Sequence, residues 1–263
     1  RTWHVLGPAR RLVASGKAHY VPARASAVPR VLSAWRPDVA LVRVTPPDAD
    51  GRCSLGPSTA YALDAVRLAP LVIAEVDPDL PWTYGDSCVD AAQIDVFVPS
   101  EAPCPEYSPG EPDAVSRRIA EHLLGLLPRD PVLQLGIGGV PEAITALLAE
   151  HDLGAVRFVG MATDQMLALL EAGRLDPAAR MPDPAIFAVD ALGTRRLLSA
   201  CDRNPAIGLY PSSAGHDTVA LSRRERFVSI NSAIEVDLSG QINAETVAGH
   251  QLSGVGGSLD YVE

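Results

Sequence analysis

Apolar residues in this chain gather in short unbroken runs, most of them closed by proline, with helically spaced stretches between them. The run DVALVRV at 38–44 is followed by Pro46 and Pro47, LVIAEV at 71–76 by Pro78, and IDVFV at 94–98 by Pro99. Runs this short, rich in β-branched residues and ended by breakers, predict strands. Helical stretches are predicted at about 29–35 and 58–66. Four prolines and three glutamates at 100–112 predict a linker. It divides the chain into a first unit at 1–110 and a second at 111–263.

The second unit repeats the pattern. A helix at about 113–127 leads to a strand at 132–135, a glycine turn at 136–141 and a helix at 142–150. A strand near 156–160 and a helix at 165–172 follow, the latter stopped by Gly173, a residue suited to a helix C-terminus. Further strands are predicted at 186–189, 207–209, 227–230 and 234–237. Continuous apolar strands alternating with helices predict parallel sheets covered on both faces. The fold class is therefore α/β, as two tandem open units with mainly parallel sheets.

Composition narrows this picture. Aromatic residues are only 5% of the 263, so the cores must be aliphatic. A net charge of −10 argues against nonspecific binding to nucleic acid or anionic membrane. Lys17 is the only lysine, which reads as a base-composition bias rather than a function. No apolar run reaches the roughly 18 residues of a spanning helix. Cys53, Cys88, Cys104 and Cys201 lack paired metal-site spacing and read as reduced thiols, which suits a cytoplasmic protein. The six histidines form neither HxH nor HExxH, so no metal site is expected.

Three features carry candidate chemistry. Gly136, Gly138 and Gly139 lie in a turn between a strand and a helix, where backbone N–H groups approach an anion closely. The same turn also serves as a plain tight connection, and Pro141 stands where a dinucleotide fingerprint needs its third glycine. The run SGVGG at 253–257 places Gly254, Val255, Gly256 and Gly257 in a second backbone nest, or in a simple turn. His216 and Asp217 sit in a small polar loop that is either an exposed turn or the seat of a general base. Ser54, in GRCSLG at 51–56, lacks nucleophile-elbow spacing.

These blocks resemble the acetyl-CoA hydrolase/CoA-transferase family, which includes butyrate-type and 4-hydroxybutyrate-type CoA-transferases. The resemblance rests on PPD at 46–48 with GRCSLG at 51–56, and on YGDS at 84–87. QLGIGGVP at 134–141, NSAIEVDLSGQ at 231–241 and SGVGGSLD at 253–260 complete it. The blocks run in the family's order over essentially the whole chain. Family members extend further at both ends, so both units are expected to be incomplete. The resemblance implies an acyl-CoA or acyl-carrier thioester as substrate, no permanently bound cofactor, and a homodimer. It implies that the two glycine loops border the CoA and carbonyl site.

One departure alters the expected chemistry. In the family a glutamate attacks the thioester from a block close to HTEMFSDG, ahead of a helix ending LIEAG. Counting back from LLEAG at 169–173 puts that glutamate at Gly160. Glycine has no side chain, so a glutamyl-CoA intermediate cannot form there. Tyr84 stands where a histidine is common, and His216 falls near a family asparagine. The expectation is hydrolysis or direct acyl transfer without a glutamyl-enzyme, with His216 as base, Asp217 assisting and Asp164 as second candidate. A conventional CoA-transferase or hydrolase and a non-catalytic CoA-binding protein are the alternatives.

Overall fold

The computed structural model describes residues 1–5, 7–108 and 110–263, the Pro8 side chain excepted. The first half runs α1 (Pro8–Ala14), α2 (Val28–Trp35), β1 (Val39–Val44), β2 (Arg52–Ser54) and α3 (Ala62–Leu68). It continues with β3 (Leu71–Val76), β4 (Tyr84–Gly85), β5 (Cys88–Asp90) and β6 (Val96–Pro99). After the proline-rich segment come α4 (Ala114–Leu124), β7 (Val132–Leu135), α5 (Gly139–Glu150), β8 (Arg157–Ala162) and α6 (Asp164–Glu171). Next are β9 (Ile186–Ala191), α7 (Arg195–Ala200), β10 (Ile207–Leu209), α8 (Ser212–Gly215), α9 (Thr218–Ser222) and β11 (Phe227–Ile230). An arm of two-residue strands, β12 (Glu235–Val236), β13 (Ile242–Asn243), β14 (Thr246–Val247) and β15 (His250–Gln251), leads to α10 (Ser258–Val262).

Two parallel sheets organise the chain. The smaller has the order β1-β3-β6, with Val39 opposite Leu71 and Ile73 opposite Val96. The larger has the order β11-β7-β8-β9-β10-β4, and every pairing in it is parallel. Its core is aliphatic, as the low aromatic content requires: Leu133, Leu135, Ile144, Leu167, Ile186 and Leu209 are fully buried, with Phe158 among them. Burying each such side chain contributes about 1.5–3 kcal/mol before the cost of ordering the chain.

Three expectations need correction. The small sheet is not covered on both faces. Ala40, Val44, Val72 and Ala74 pack with Leu63 and Val66 of α3, but Val39, Leu71 and Val96 stay exposed and Leu41 is 75% exposed. A single covering helix layer accounts for this, since side chains alternate across a strand. The strand expected at 234–237 shrinks to β12 in an antiparallel ribbon with β13, outside the large sheet. There Asp237 accepts hydrogen bonds from the backbone N–H of Ser239 and of Gln241, which turns the chain back after two residues. The helix expected from residue 58 begins only at Ala62, because residues 57–60 are bound elsewhere.

Those residues stitch the halves together. Thr59 and Ala60 donate backbone N–H groups to the Val189 carbonyl at 3.1 Å, and Ala191 donates to Pro57 at 2.7 Å. The first half also supplies β4, with Tyr84 opposite Gly208 and Gly85 opposite Leu209 on the edge of the large sheet. At the other end, Ala25 donates to the Gly256 carbonyl at 2.9 Å, and Ser26 donates to both oxygens of Asp260.

Candidate active site

These stitches close a cavity of about 530 Å3 at the carboxyl end of the large sheet. Parallel sheets place their binding crevices at that end. Gly136, Gly160, Asp190 and His216 line it together with Gly254, Val255, Gly256 and Gly257. The second glycine loop thus faces the cavity along its full length. It is held there because Val255 donates its N–H to the Tyr20 hydroxyl at 3.1 Å, and the Tyr20 hydroxyl donates to Glu245 at 2.8 Å.

Gly160 lies where β8 bulges against β9. The register shifts between Gly160, opposite Ala188, and Met161, opposite Asp190. Its φ of 105° is a conformation that L side chains rarely adopt. A Cβ added there would stand 3.0 Å from the Tyr261 hydroxyl oxygen. The tyrosine therefore fills the room a side chain at 160 would use. Tyr261 is buried, and its hydroxyl has no hydrogen-bond partner in the protein.

His216 is buried between this cavity and a second cleft lined by Arg24, Arg30, Ser213 and Thr218. Burial lowers its pKa to about 4, against a smaller opposing pull from Asp260. Its ring lies 4.9 Å from that of Tyr261, and its Nδ1 has no partner. Its Nε2 sits so close to Gly257 that any Cβ there would overlap it. The imidazole is therefore neutral at pH 7 and unoriented by any second group.

The other expected residues are placed less simply. Asp217 caps α9, accepting from Val219 N at 2.9 Å and Ala220 N at 3.3 Å, and makes no hydrogen bond to the His216 ring. Asp164 opens α6 and does not line the cavity. Its oxygens accept from the Thr194 N at 2.8 Å and the Thr194 hydroxyl at 2.7 Å, anchoring the turn before α7. It does not cap its own helix, and its carboxylate is spent on the residue that precedes α7. Gly138 and Gly139 turn into the first residues of α5, and only Gly136 and Ile137 of that turn reach the cavity.

The cavity also holds residues not singled out from the sequence. Gln134 and Asn231 form one wall as a polar network, in which the Asn231 amide donates to Gln134 at 2.9 Å and to Ser229 at 2.8 Å. Asp190 and Ser58 meet on the opposite side. A lone acid inside the apolar strand IFAVDA was the available signal for Asp190. Among the described residues, no group of three or more His, Cys, Asp or Glu is placed to hold a metal. No helix among them is long and apolar enough to cross a membrane.

Two parallel α/β units meeting at a glycine-lined cavity define a CoA-transferase-like architecture. Residues 2–105 match the acetyl-CoA hydrolase/transferase N-terminal domain, and residues 193–263 match the C-terminal domain of the same family. The chain belongs to the acetyl-CoA hydrolase/transferase family. It is 35% identical over 260 residues to the 4-hydroxybutyrate coenzyme A transferase of Clostridium kluyveri, covering 97% of this chain and 60% of that protein. It is 32% identical over 270 residues to the butyryl-CoA:acetate CoA-transferase of Anaerostipes caccae, covering 99% and 60%. The crystal structure of 4-hydroxybutyrate CoA-transferase from Porphyromonas gingivalis matches with a TM-score of 0.76 at 29% identity, covering 90% of this chain and 62% of that one. The chain spans about 60% of the length of these curated relatives.

Proposed function

We propose that the chain is the thioester-handling part of an enzyme that cleaves acyl-CoA or acyl-pantetheine by direct attack, without a glutamyl-enzyme. The observation that carries this reading is the cavity wall at residue 160. The residue aligned with the family's nucleophile has no side chain, its backbone disfavours one, and Tyr261 fills the space beside it. Loss of the nucleophile removes the covalent route but leaves positioning and backbone donors for a developing oxyanion. The glycines at 254, 256 and 257 supply that backbone, since Val255 gives its N–H to Tyr20 and Gly136 gives its own to Ile230, and His216 borders the same space. The acyl acceptor is water or a second nucleophile.

A second reading, CoA transfer through a carboxylate outside position 160, is favoured by the transferase names of the relatives. One experiment separates the two. Thiol release from a panel of acyl-CoA thioesters is followed with and without added carboxylic acids, and quenched samples are reduced with borohydride before mass analysis. Direct attack predicts thiol release without an added acid and no reduced adduct on an acidic side chain. An adduct, or strict dependence on an acid acceptor, would overturn it. CoA binding without any cleavage would instead mark a non-catalytic binding protein. Homodimer formation is proposed from the resemblance, and light scattering in solution tests it.

A further inference from the structure

Asp190 is the last acidic residue of β9 and stands opposite Met161, one step beyond the bulge at Gly160. The loop at 57–60 is fixed to the same strand end by the backbone hydrogen bonds of Thr59, Ala60 and Ala191. Ser58 is carried there as an isolated bridge partner of Asp190. Its hydroxyl donates to Asp190 Oδ1 at 2.5 Å, and both side chains line the cavity. No arginine or lysine lines the same space among the described residues, and no ion pair there engages Asp190. A carboxyl kept in a partly apolar cavity without a cation costs stability, so its place needs a reason. Asp164 and Asp217 differ from it, since each is consumed by a local anchoring role.

We propose that Asp190, positioned by Ser58, is the general base of this cavity and activates water for direct addition to the thioester carbonyl. The inference rests on the thioester reading above and names the residue that performs it. The carboxylate takes one proton from water as the water oxygen bonds to the carbonyl carbon. The carbonyl electron pair moves onto its oxygen, which the backbone N–H groups of the glycine loop receive. The intermediate collapses, the C–S bond breaks with its electrons on sulfur, and the thiolate takes the proton from Asp190. A carboxylic acid and free thiol leave, and the carboxylate is restored.

Electrostatics agree with the geometry. Burial pushes the Asp190 carboxyl up from the usual carboxylate range, and the Ser58 hydrogen bond opposes this by favouring the ionised form. A base poised higher is a better proton acceptor near neutrality. The other titratable groups on the cavity are His4, His216 and Tyr261. Burial holds both histidines below their ordinary range and the tyrosine above its own, so they stay neutral around pH 7.

Steady-state thiol release from acetyl-CoA and butyryl-CoA by the chain, with calorimetric CoA binding in parallel, tests the assignment. Asp190→Asn is expected to lower kcat by about 10²–10⁴-fold while CoA affinity stays within about threefold. Ser58→Ala is expected to move the acidic limb of the kcat/KM profile to higher pH, because the carboxylate loses its donor. Cleavage by wild type that persists within about threefold in Asp190→Asn overturns the assignment and leaves the thioester reading intact. A borohydride-reduced adduct on Asp190 overturns it by making the residue a nucleophile. Wild type that binds CoA but cleaves nothing overturns both. If Asp190→Asn fails to fold by circular dichroism, Ser58→Ala, at an exposed position, decides alone, and an unmoved acidic limb overturns the assignment.

Discussion

Replacing His216 by asparagine should change how stability responds to acid, with a magnitude set by the site. An unfolded histidine titrates near 6.5, whereas burial lowers the folded value to about 4. Between those values the unfolded chain binds a proton that the folded chain refuses. Stability therefore falls as pH drops from 6.5 toward 4, because the slope of unfolding free energy with pH follows the excess protons of the unfolded state. The full interval corresponds to about 3 kcal/mol, at roughly 1.36 kcal/mol per tenfold change in proton affinity. That is a large share of an ordinary domain's stability. Other groups also respond to acid, so the comparison must be differential. Urea midpoints and m-values for wild type and His216→Asn are measured from pH 7.5 to 4. Asparagine forfeits ring packing against Tyr261, which lowers stability by a constant amount at every pH. The wild-type curve should fall toward the variant's by about 3 kcal/mol across the interval. Parallel curves would refute a buried imidazole whose affinity for protons falls on folding.

Four further outcomes follow from three other residues. Tyr261→Phe deletes a buried hydroxyl with no partner and should raise stability by about 1 kcal/mol, read by thermal or urea unfolding. Gly160→Ala forces a side chain into a φ of 105° beside the Tyr261 oxygen and should cost about 1–3 kcal/mol. In Gly160→Glu the same strain should prevent recovery of acid-dependent CoA exchange, measured by transfer between labelled acids. Glu142 is buried in the first turn of α5, where burial and then the charge of Asp164 push its carboxyl up. Glu142→Gln should therefore gain stability relative to wild type as pH rises above the ordinary glutamate range, seen as urea midpoints that diverge upward.

The sequence carried the fold further than the site, for physical reasons. LVIAEV at 71–76 and VLQL at 132–135 became β3 and β7 over those same residues, because proline or glycine breakers close apolar runs at one position. The helix expected from residue 58 started late, because residues 57–60 find their hydrogen bonds on β9, far away in sequence. The two glycine loops and His216 were legible as special local sequences, and the fold brings the second loop, Gly136 and His216 to one cavity while Gly138 and Gly139 turn away into α5. Asp164 and Asp217 were legible as acids, but an acid at a helix start is read equally well as an anchor or a base. Asp190 gave a weaker signal still. Only the pairing of β8 with β9 and the crossing of the 57–60 loop place it beside Gly160 with Ser58 in reach.

The two-residue strand β4 has a mechanical consequence larger than its length. A hinge needs a boundary that few contacts cross, and this boundary is crossed at many separate places. Tyr84 and Gly85 belong to the large sheet, the 57–60 loop to the end of β9, and residues 25–26 to Gly256 and Asp260. The halves cannot swing apart like shells without breaking these ties together. Admission of a long thioester therefore falls to local give in the segment at 254–257, whose hydrogen bonds to the first half are one that Val255 donates to Tyr20 and one that Gly256 accepts from Ala25. The molecule works as a fixed frame with one yielding edge, and backbone exchange with solvent should be faster at that edge than along β8 and β9.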